Sequence, residues 1–209
     1  MSDGARPGGI TVMIAEDQRL MRSALVSLLG LESDLQVIGE VDRGDEAVAA
    51  VAAQRPDVLL LDIELPGRSG LDVLEEVGAA SPATAVVMVT TFGRAGYLRR
   101  AMDAGARGFL VKDQPLEELA EAIRAIAAGE TVVEPSLAAR ALQAGPSPLT
   151  ARECEVLAAA DGGAPIAELA VALHLSPSTV RNYLSSAQAK LQAMNRHEAV
   201  AIARRQGWI

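Results

Sequence analysis

The stretch "VLLLDIELPGRSG" (58–70) decides the fold, because four apolar residues run directly into a carboxylate, Asp62. An unbroken apolar run of this length is typical of a strand covered on both faces, as in a parallel α/β sheet. Pro66 and Gly67 then mark a loop. The sequence therefore places an acid at the tip of a buried strand, where a charge without a partner is costly.

Outward from this strand, the first 128 residues alternate short apolar runs with amphipathic stretches. Strand-like runs cover 10–15, 35–41, 58–62, 85–90 and 108–111. Helical patterns cover about 18–31, 44–54, 71–79, 96–104 and 115–128. Five strands alternating with five helices predict a doubly wound, five-stranded parallel α/β sheet of the flavodoxin-like kind, with helices on both faces.

The pattern changes after residue 128. Residues 129–148 hold three prolines and two glycines, which predicts a linker with a short helix near 136–143. From residue 149 the pattern is purely helical, over 150–160, 165–173, 177–192 and 197–206. We therefore predict a first domain over 1–128 with a flexible start at 1–9, a linker over 129–148, and an all-α helix-turn-helix domain over 149–209.

Charge and composition restrict the possible partners and compartment. The net charge is −8, but residues 1–148 hold 13 Lys and Arg against 22 Asp and Glu, whereas residues 149–209 hold 6 against 5. An acidic front and a neutral rear fit two domains with different partners, so the acidity does not exclude nucleic acid. A single cysteine, no apolar run of membrane length and no visible secretory signal favour a cytoplasmic protein without membrane insertion.

Polar side chains follow four of the predicted strands. These are Glu16 and Asp17 after the first, Asp62 at the end of the third, Thr90 at the end of the fourth and Lys112 after the fifth. In open parallel sheets the functional crevice lies outside the carboxyl ends of the strands, so these residues are expected at one edge. Clustered carboxylates need a compensating cation, and an all-oxygen site suits Mg²⁺.

This set resembles the receiver domain of bacterial two-component response regulators over about residues 8–128. The resemblance rests on Glu16, Asp17, Asp62, Thr90, Phe109 and Lys112, in this order. It implies that Asp62 accepts a phosphoryl group from a sensor histidine kinase. It also implies that Glu16, Asp17, Asp62 and the backbone carbonyl of Glu64 hold Mg²⁺. Thr90 and Lys112 would bind the phosphoryl group, and Phe109 would turn inward as part of the switch.

Two alternatives stay open beside the receiver interpretation. The first is an aspartate-nucleophile phosphatase, in which Glu64, two residues after Asp62, would be the general acid; no cap domain or substrate pocket is evident for it. The second is a pseudo-receiver that controls transcription without phosphorylation. Neither GxGxxG after the first strand nor a GxxxxGK[ST] loop is present, which disfavours a nucleotide-binding enzyme. We expect no enzyme activity beyond slow loss of the aspartyl phosphate.

The stretch "IAELAVALHLSPSTVRNYLSSAQAKL" (166–191) predicts two helices joined by a tight turn. Ser176 is a favourable N-cap and Pro177 fits the first helical position. The apolar stripe of the second helix consists of Val180, Leu184, Ala187 and Leu191. The opposite face is small, polar and mildly basic, which suits a DNA major groove, although any amphipathic bundle helix gives the same periodicity.

Residues 148–209 resemble the helix-turn-helix domain of NarL/FixJ (LuxR-type) regulators. The matching stretches are "LTARECEVL", "IAELAVALHLSPSTVRNYL", "AKL" and "NRHEAVAIARRQGWI". The resemblance implies that 177–192 is the recognition helix on double-stranded promoter DNA. Candidate base contacts are Arg181, Asn182 and Ser185, and candidate phosphate contacts are Thr179 and Lys190. It also implies a homodimer formed on phosphorylation, and RNA polymerase is a candidate partner.

Some stretches are similar to one subgroup of these regulators, which pairs with a membrane-fluidity-sensing kinase and controls a lipid desaturase. They are "IAEDQ" (14–18), "VTTFGRAGYLRRAMDAGARGFLVKD" (89–113), "TVRNY" (179–183) and the ending "GW" (207–208). In related regulators the receivers often pair through the first and fifth helices, here about 18–31 and 115–128. The last helix, 197–206, is a candidate for pairing the DNA-binding domains.

Overall fold

The computed structural model describes residues 9–91, 93–144 and 147–209. Most of the segment predicted to be flexible, residues 1–8, lies outside these ranges. The chain divides into two compact units, one built around a sheet and one built from the C-terminal helices. Within the described ranges no helix has the length and apolarity that a bilayer span requires.

The sheet is entirely parallel, with the order β2-β1-β3-β4-β5-β6. Its strands are β1 (Ile10–Ala15), β2 (Leu35–Val41), β3 (Val58–Asp62), β4 (Ala85–Thr90), β5 (Gly108–Val111) and β6 (Val132–Val133). The order reverses between β1 and β3, which is the topological switch point of a doubly wound sheet. The doubly wound α/β prediction is confirmed, and the first five strands have the predicted bounds. The predicted number of five strands is wrong, because β6 adds a sixth strand at the edge of β5.

Helices connect these strands. They are α1 (Arg19–Leu29), α2 (Gly44–Gln54), α3 (Gly70–Ala80), α4 (Ala95–Asp103), α5 (Leu116–Ala127) and α6 (Pro135–Ala144). On one face of the sheet, alternate strand residues such as Ile14 and Leu60 share a buried cluster with Leu29 of α1 and Ile123 of α5. The intervening positions are buried as well, as the unbroken burial of β3 shows, because a parallel sheet has both faces covered.

The segment predicted to be a linker contains regular structure that the sequence analysis only partly anticipated. β6 is a sixth strand, paired in parallel with β5 through Gly108–Val132 and Phe109–Val133. The short helix expected near 136–143 is α6. Its Leu137 is fully buried and packs so closely on Gly93 that a Cβ there would lie 1.8 Å from the leucine side chain. The first part of this segment therefore belongs to the packing of the sheet unit.

The C-terminal unit contains four helices around its own apolar core. They are α7 (Ala151–Ala160), α8 (Ile166–Ala172), α9 (Pro177–Leu191) and α10 (Arg196–Gln206). Three of them begin at side-chain N-caps, since Thr150, Ser176 and Asn195 each accept a hydrogen bond from a backbone amide of the first turn. The predicted all-α helix-turn-helix arrangement is confirmed, with bounds that differ by at most one residue.

Candidate functional site

Asp62 ends β3 at the carboxyl edge of the sheet, beside the switch point. Its neighbouring strand β1 is in register through the pair Ala15–Leu61. Glu16 and Asp17 therefore leave β1 next to the position where Asp62 leaves β3. Lys112 follows β5, and its backbone amide donates to the carbonyl of Thr90 at the end of β4. The strand ends thus bring these side chains to one edge.

Lys112 connects two of the acids directly. Its Nζ lies 2.6 Å from Oε2 of Glu16 and 2.9 Å from Oδ2 of Asp62. All three side chains are at most 5% exposed, so the ion pairs are shielded from water. Burial raises the pKa of Glu16 against the opposing bond from Lys112. Burial is also the largest influence on the pKa of Lys112 and lowers it, but the bonds to Glu16 and Asp62 outweigh it and the pKa is raised.

The remaining carboxylate oxygens are positioned by the backbone. The amide of Gln18 donates to Oε1 of Glu16 at 3.0 Å, and the amide of Glu64 donates to Oδ1 of Asp62 at 3.3 Å. Each buried acid is therefore held at both oxygens, one by Lys112 and one by a loop amide. Glu64 contacts Asp62 through its N–H, and the role of its carbonyl as a metal ligand stays a prediction.

The acids have the arrangement that a hard cation needs. One carboxylate oxygen from each of Glu16, Asp17 and Asp62 lies within 4.8 Å of the other two. Glu16 and Asp62 are buried whereas Asp17 is exposed, so the cluster opens to solvent on one side. Carboxylate oxygens are the ligands that Mg²⁺ takes, with its other positions left for water or phosphate. The donor set therefore fits the predicted ion.

The two predicted switch residues occupy different places. Thr90 is 2% exposed at the end of β4, one strand from Asp62. Phe109 lies within β5, where it is fully buried and pairs with Met88 and Val133. An inward turn of Phe109 was predicted for the phosphorylated state, and the side chain already has an inward position here. The predicted role of Phe109 as a moving element therefore has to be tested in the phosphorylated protein.

Gly70 is the first residue of α3 and packs against the backbone of Asp62, at the other end of the loop that joins β3 to α3. A Cβ at this position would lie 2.0 Å from the carbonyl oxygen of Asp62, while the Gly70 amide donates to the carbonyl of Ile63 at 2.9 Å.

We expect Gly70→Ala to destabilise the sheet unit by about 1–3 kcal/mol, because the added Cβ would force the backbone at Asp62 to shift. Gly78→Ala is the matched control on the same helix, since a Cβ there meets nothing within 4 Å. The control should gain about 0.5–1 kcal/mol. Urea unfolding followed by circular dichroism measures both, and equal effects would contradict this account.

Arg22 is a site residue that the sequence analysis missed. It lies in α1, and its guanidinium donates to the backbone carbonyl of Glu16 and, at 3.4 Å, to that of Asp17. Every residue has a backbone carbonyl, so the sequence of side chains does not indicate which carbonyls an arginine will contact. The only available signal is an arginine placed one turn into the helix that follows an acidic pair.

The second predicted surface lies on α9. Val180, Leu184 and Ala187 are buried in the core of the C-terminal unit, as the apolar stripe predicted, and the fourth residue of the stripe, Leu191, is partly buried against the same core. Arg181, Asn182 and Ser185 are exposed on the other side of the helix. The side chain of Arg181 makes no ion pair with any residue that the structure describes. The three candidate base-contacting residues therefore share a face that is available to a ligand.

The two candidate phosphate contacts have protein partners. The hydroxyl of Thr179 lies 2.7 Å from that of the N-cap Ser176. Nζ of Lys190 lies 2.7 Å from Oε2 of Glu153 in α7. An ammonium has three donors, so this ion pair leaves donors for a phosphate. Contacts of Thr179 and Lys190 with DNA stay predictions.

Glu153 is a second residue that the sequence analysis missed. It is 3% exposed and accepts hydrogen bonds from the amide and hydroxyl of Thr150, from the hydroxyl of Ser186 and from Lys190. Ser186 and Lys190 lie one turn apart on α9, so a single carboxylate joins the start of α7 to α9. Although burial opposes ionisation, these donors lower the pKa of Glu153 to about 2. The T-x-x-E capping box (150–153) was the available signal.

Comparison with known families agrees with this geometry. Residues 12–124 match the model of the response regulator receiver domain, and residues 147–203 match that of the bacterial regulatory proteins of the luxR family. Together the two models span most of the chain. The first contains the whole acidic cluster, and the second contains α9.

Full-length relatives share this two-domain arrangement. The chain is 46% identical to an uncharacterized transcriptional regulatory protein of Bacillus subtilis, YvfU, over 96% of this chain and 100% of that protein. It is 42% identical to the B. subtilis transcriptional regulatory protein DesR, over 95% and 98%. Among solved structures it is similar to the response regulator ChrA of a heme-sensing two-component system, with a TM-score of 0.57, 31% identity, and coverage of 97% and 100%.

Proposed function

The chain belongs to the NarL/FixJ (LuxR-type) family of two-component response regulators, and from this premise we propose that Asp62 is its phosphoacceptor. A single observation carries the proposal. Asp62 is a carboxylate at a buried strand end, 2.9 Å from Lys112 and within 4.8 Å of two further acids. The site therefore combines a nucleophile, a cation and a set of metal ligands.

In the proposed reaction the carboxylate of Asp62 attacks the phosphorus of a phosphohistidine on a sensor kinase, so that an acyl phosphate O–P bond forms while the P–N bond breaks and the histidine imidazole leaves. We assign Oδ1 as the nucleophile, because its contact with the Glu64 amide is longer than the bond between Oδ2 and Lys112. Lys112 is a compact charge beside the developing phosphate oxygens. Mg²⁺, held by Glu16, Asp17 and Asp62, would neutralise charge on the transferred group. The hydroxyl of Thr90 is the proposed donor to the bound phosphoryl group.

Phosphoryl uptake from a small donor tests this proposal without a known kinase. The full chain is incubated with acetyl phosphate and Mg²⁺, and the intact mass is measured with time. Uptake of one phosphoryl group, removed by alkaline hydrolysis as expected for an acyl phosphate, would support it. A chain that takes up no phosphoryl group and binds no beryllofluoride would favour the pseudo-receiver. Turnover of small phosphate esters would favour the phosphatase.

We propose that phosphorylation leads to a homodimer through the receiver, using α1. Leu20 lies in the first turn of α1 and is 85% exposed, and Leu31, which is 78% exposed, follows two residues after the end of the helix. Exposed leucines at both ends of one helix are candidates for contact with a partner. A second copy of the same helix is a self-complementary partner for a two-fold interface.

Introducing a charge at Leu20 should prevent the dimer. We expect Leu20→Glu to stay monomeric with Mg²⁺ and beryllofluoride at concentrations where the wild type dimerises, because the carboxylate would have to be desolvated. Leu142→Glu is the control, since Leu142 is equally exposed but lies on α6. Light scattering gives the molar mass of each. A dimer of Leu20→Glu with wild-type affinity would place the interface elsewhere.

We also propose that the dimer places α9 of each copy in the major groove of promoter DNA to control transcription in the cytoplasm. Arg181, Asn182 and Ser185 would contact bases, because they share the exposed face opposite the buried stripe. Two recognition helices in successive major grooves would require a site with two half-sites.

Arg181 is expected to contribute most to base recognition. Binding sites are first selected from random duplexes with the beryllofluoride-treated protein. Arg181→Ala should then bind the selected duplex about 10–100-fold more weakly, as expected for loss of one bidentate base contact. Arg152→Ala is the control, because this arginine is on α7 and is paired with Glu155. If both variants lose affinity equally at all salt concentrations, Arg181 acts only through charge.

A further inference from the structure

Arg22 has four contacts that surround the acidic end of β1. Its Nη1 donates to the carbonyl oxygens of Glu16 and Asp17, as described above. Its Nε lies 3.5 Å from a carboxylate oxygen of Glu40, and Nη2 lies 3.8 Å from one of Asp42. The Arg22 side chain is only 16% exposed although it ends in a charge. The guanidinium therefore joins the loop after β1 to the end of β2.

This arrangement uses the planar shape of arginine. Its donors point in fixed directions, so two carboxylates at one side can orient the group while a third N–H reaches the carbonyls. The loop is fixed from the β2 side by the backbone as well, because the amide of Glu16 donates to the carbonyl of Val41 at 3.0 Å. This bond holds only the amide of Glu16. Arg22 in addition holds the carbonyls of Glu16 and Asp17.

We propose that Arg22 is a positioning residue, which holds the carboxylates of Glu16 and Asp17 in place for Mg²⁺ by fixing their backbone. The inference rests on the proposed function of the acidic cluster. Mg²⁺ demands near-ideal octahedral geometry, so a loop that drifts by a fraction of an ångström loses affinity. Partners behind metal ligands commonly contribute 10–100-fold to metal affinity.

A purely electrostatic role of Arg22 predicts the opposite sign. A positive charge close to the cluster repels a divalent cation, so its removal alone would tighten Mg²⁺ binding. Loss of positioning would weaken it. The direction of the change therefore separates the two roles.

Isothermal titration of the full chain with Mg²⁺ measures this direction. We expect Arg22→Ala to raise the dissociation constant 10–100-fold. Arg22→Lys should also raise it, because a point charge cannot span both carbonyls and both carboxylates. Arg19→Ala is the matched control: Arg19 is exposed on the same helix, and its side chain makes no hydrogen bond or ion pair within the described ranges. The control should stay within about twofold of the wild type.

Arg22→Lys keeps the test decisive if Arg22→Ala does not fold. It retains the positive charge, so a purely electrostatic role predicts unchanged Mg²⁺ binding, whereas loss of positioning predicts weaker binding in a protein that circular dichroism shows to be folded. Unchanged or tighter binding in the folded variants would overturn the inference. A wild type with no saturable Mg²⁺ site sensitive to Asp62→Ala would instead overturn the proposed function, and the inference with it.

Discussion

Asp62→Asn is expected to abolish phosphoryl uptake and the dimer that depends on it. The amide has nearly the shape of the carboxylate, but it lacks the nucleophilic charge and one of the oxygens offered to Mg²⁺. Because Lys112 would keep Glu16 as an ion-pair partner at 2.6 Å, the variant should still fold. The expected result is therefore a folded protein that neither takes up a phosphoryl group nor dimerises.

The measurement combines intact mass after acetyl phosphate treatment with light scattering in Mg²⁺ and beryllofluoride. Asp103→Asn is the matched control, because Asp103 is exposed at the end of α4 and lies outside the acidic cluster. The control should take up one phosphoryl group and dimerise like the wild type. If Asp62→Asn is also phosphorylated at the wild-type rate, the acceptor is another residue and the proposed site is wrong.

The strands could be predicted from the sequence almost completely. β3 and β4 are unbroken runs of aliphatic residues that end abruptly at Asp62 and Thr90, so their bounds are marked by composition alone. The α/β order then restricts the topology, since parallel strands need helical crossovers. The strand bounds depend only on residues next to one another in the chain, so they can be recognised in the sequence without knowledge of the fold.

β6 could not be predicted in the same way. Val132 and Val133 form a two-residue run inside a segment rich in proline and glycine, which by itself indicates a linker. What makes them a strand is the free edge of β5, where Phe109 offers a partner. The burial of Leu137 against Gly93 is likewise a tertiary contact between residues far apart in the chain. Neither partner is visible from the segment's own composition.

In the candidate site, too, the residues at strand ends could be predicted from the sequence, whereas those that depend on tertiary contacts could not. The convergence of Glu16, Asp17, Asp62 and Lys112 was predictable, because carboxyl ends of parallel strands share one edge. Arg22 was not, since its partners at the site are backbone carbonyls. Glu153 was overlooked for a related reason: an N3 glutamate normally caps its own helix, and only the fold brings Ser186 and Lys190 to it.

Glu153→Ala should cause the largest loss of stability in the C-terminal unit, about 3 kcal/mol. Glu153 is buried whereas Lys190 is 35% exposed and can be hydrated, so most of the loss comes from the hydroxyls of Ser186 and Thr150 and the Thr150 amide, which lose their acceptor. Trp208 is the only tryptophan and packs against this core, so its fluorescence reports unfolding of this unit alone. Glu155→Ala is the control on the same helix, because Glu155 is half-exposed and should change stability by less than about 0.5 kcal/mol.

The same carboxylate should make the unit sensitive to acid. The folded-state pKa of about 2 lies below the ordinary value of 4.5, so ionised Glu153 stabilises the fold fully above pH 4.5. This contribution should decline as the pH falls from 4.5 towards 2, as Glu153 takes up a proton more readily in the unfolded chain. Glu153→Gln, which cannot ionise, should show a flatter dependence of unfolding free energy on pH in this window. If wild type and Glu153→Gln lose stability in parallel from pH 5 to pH 2, other carboxylates dominate, and Glu153 does not hold α7 to α9 through its charge.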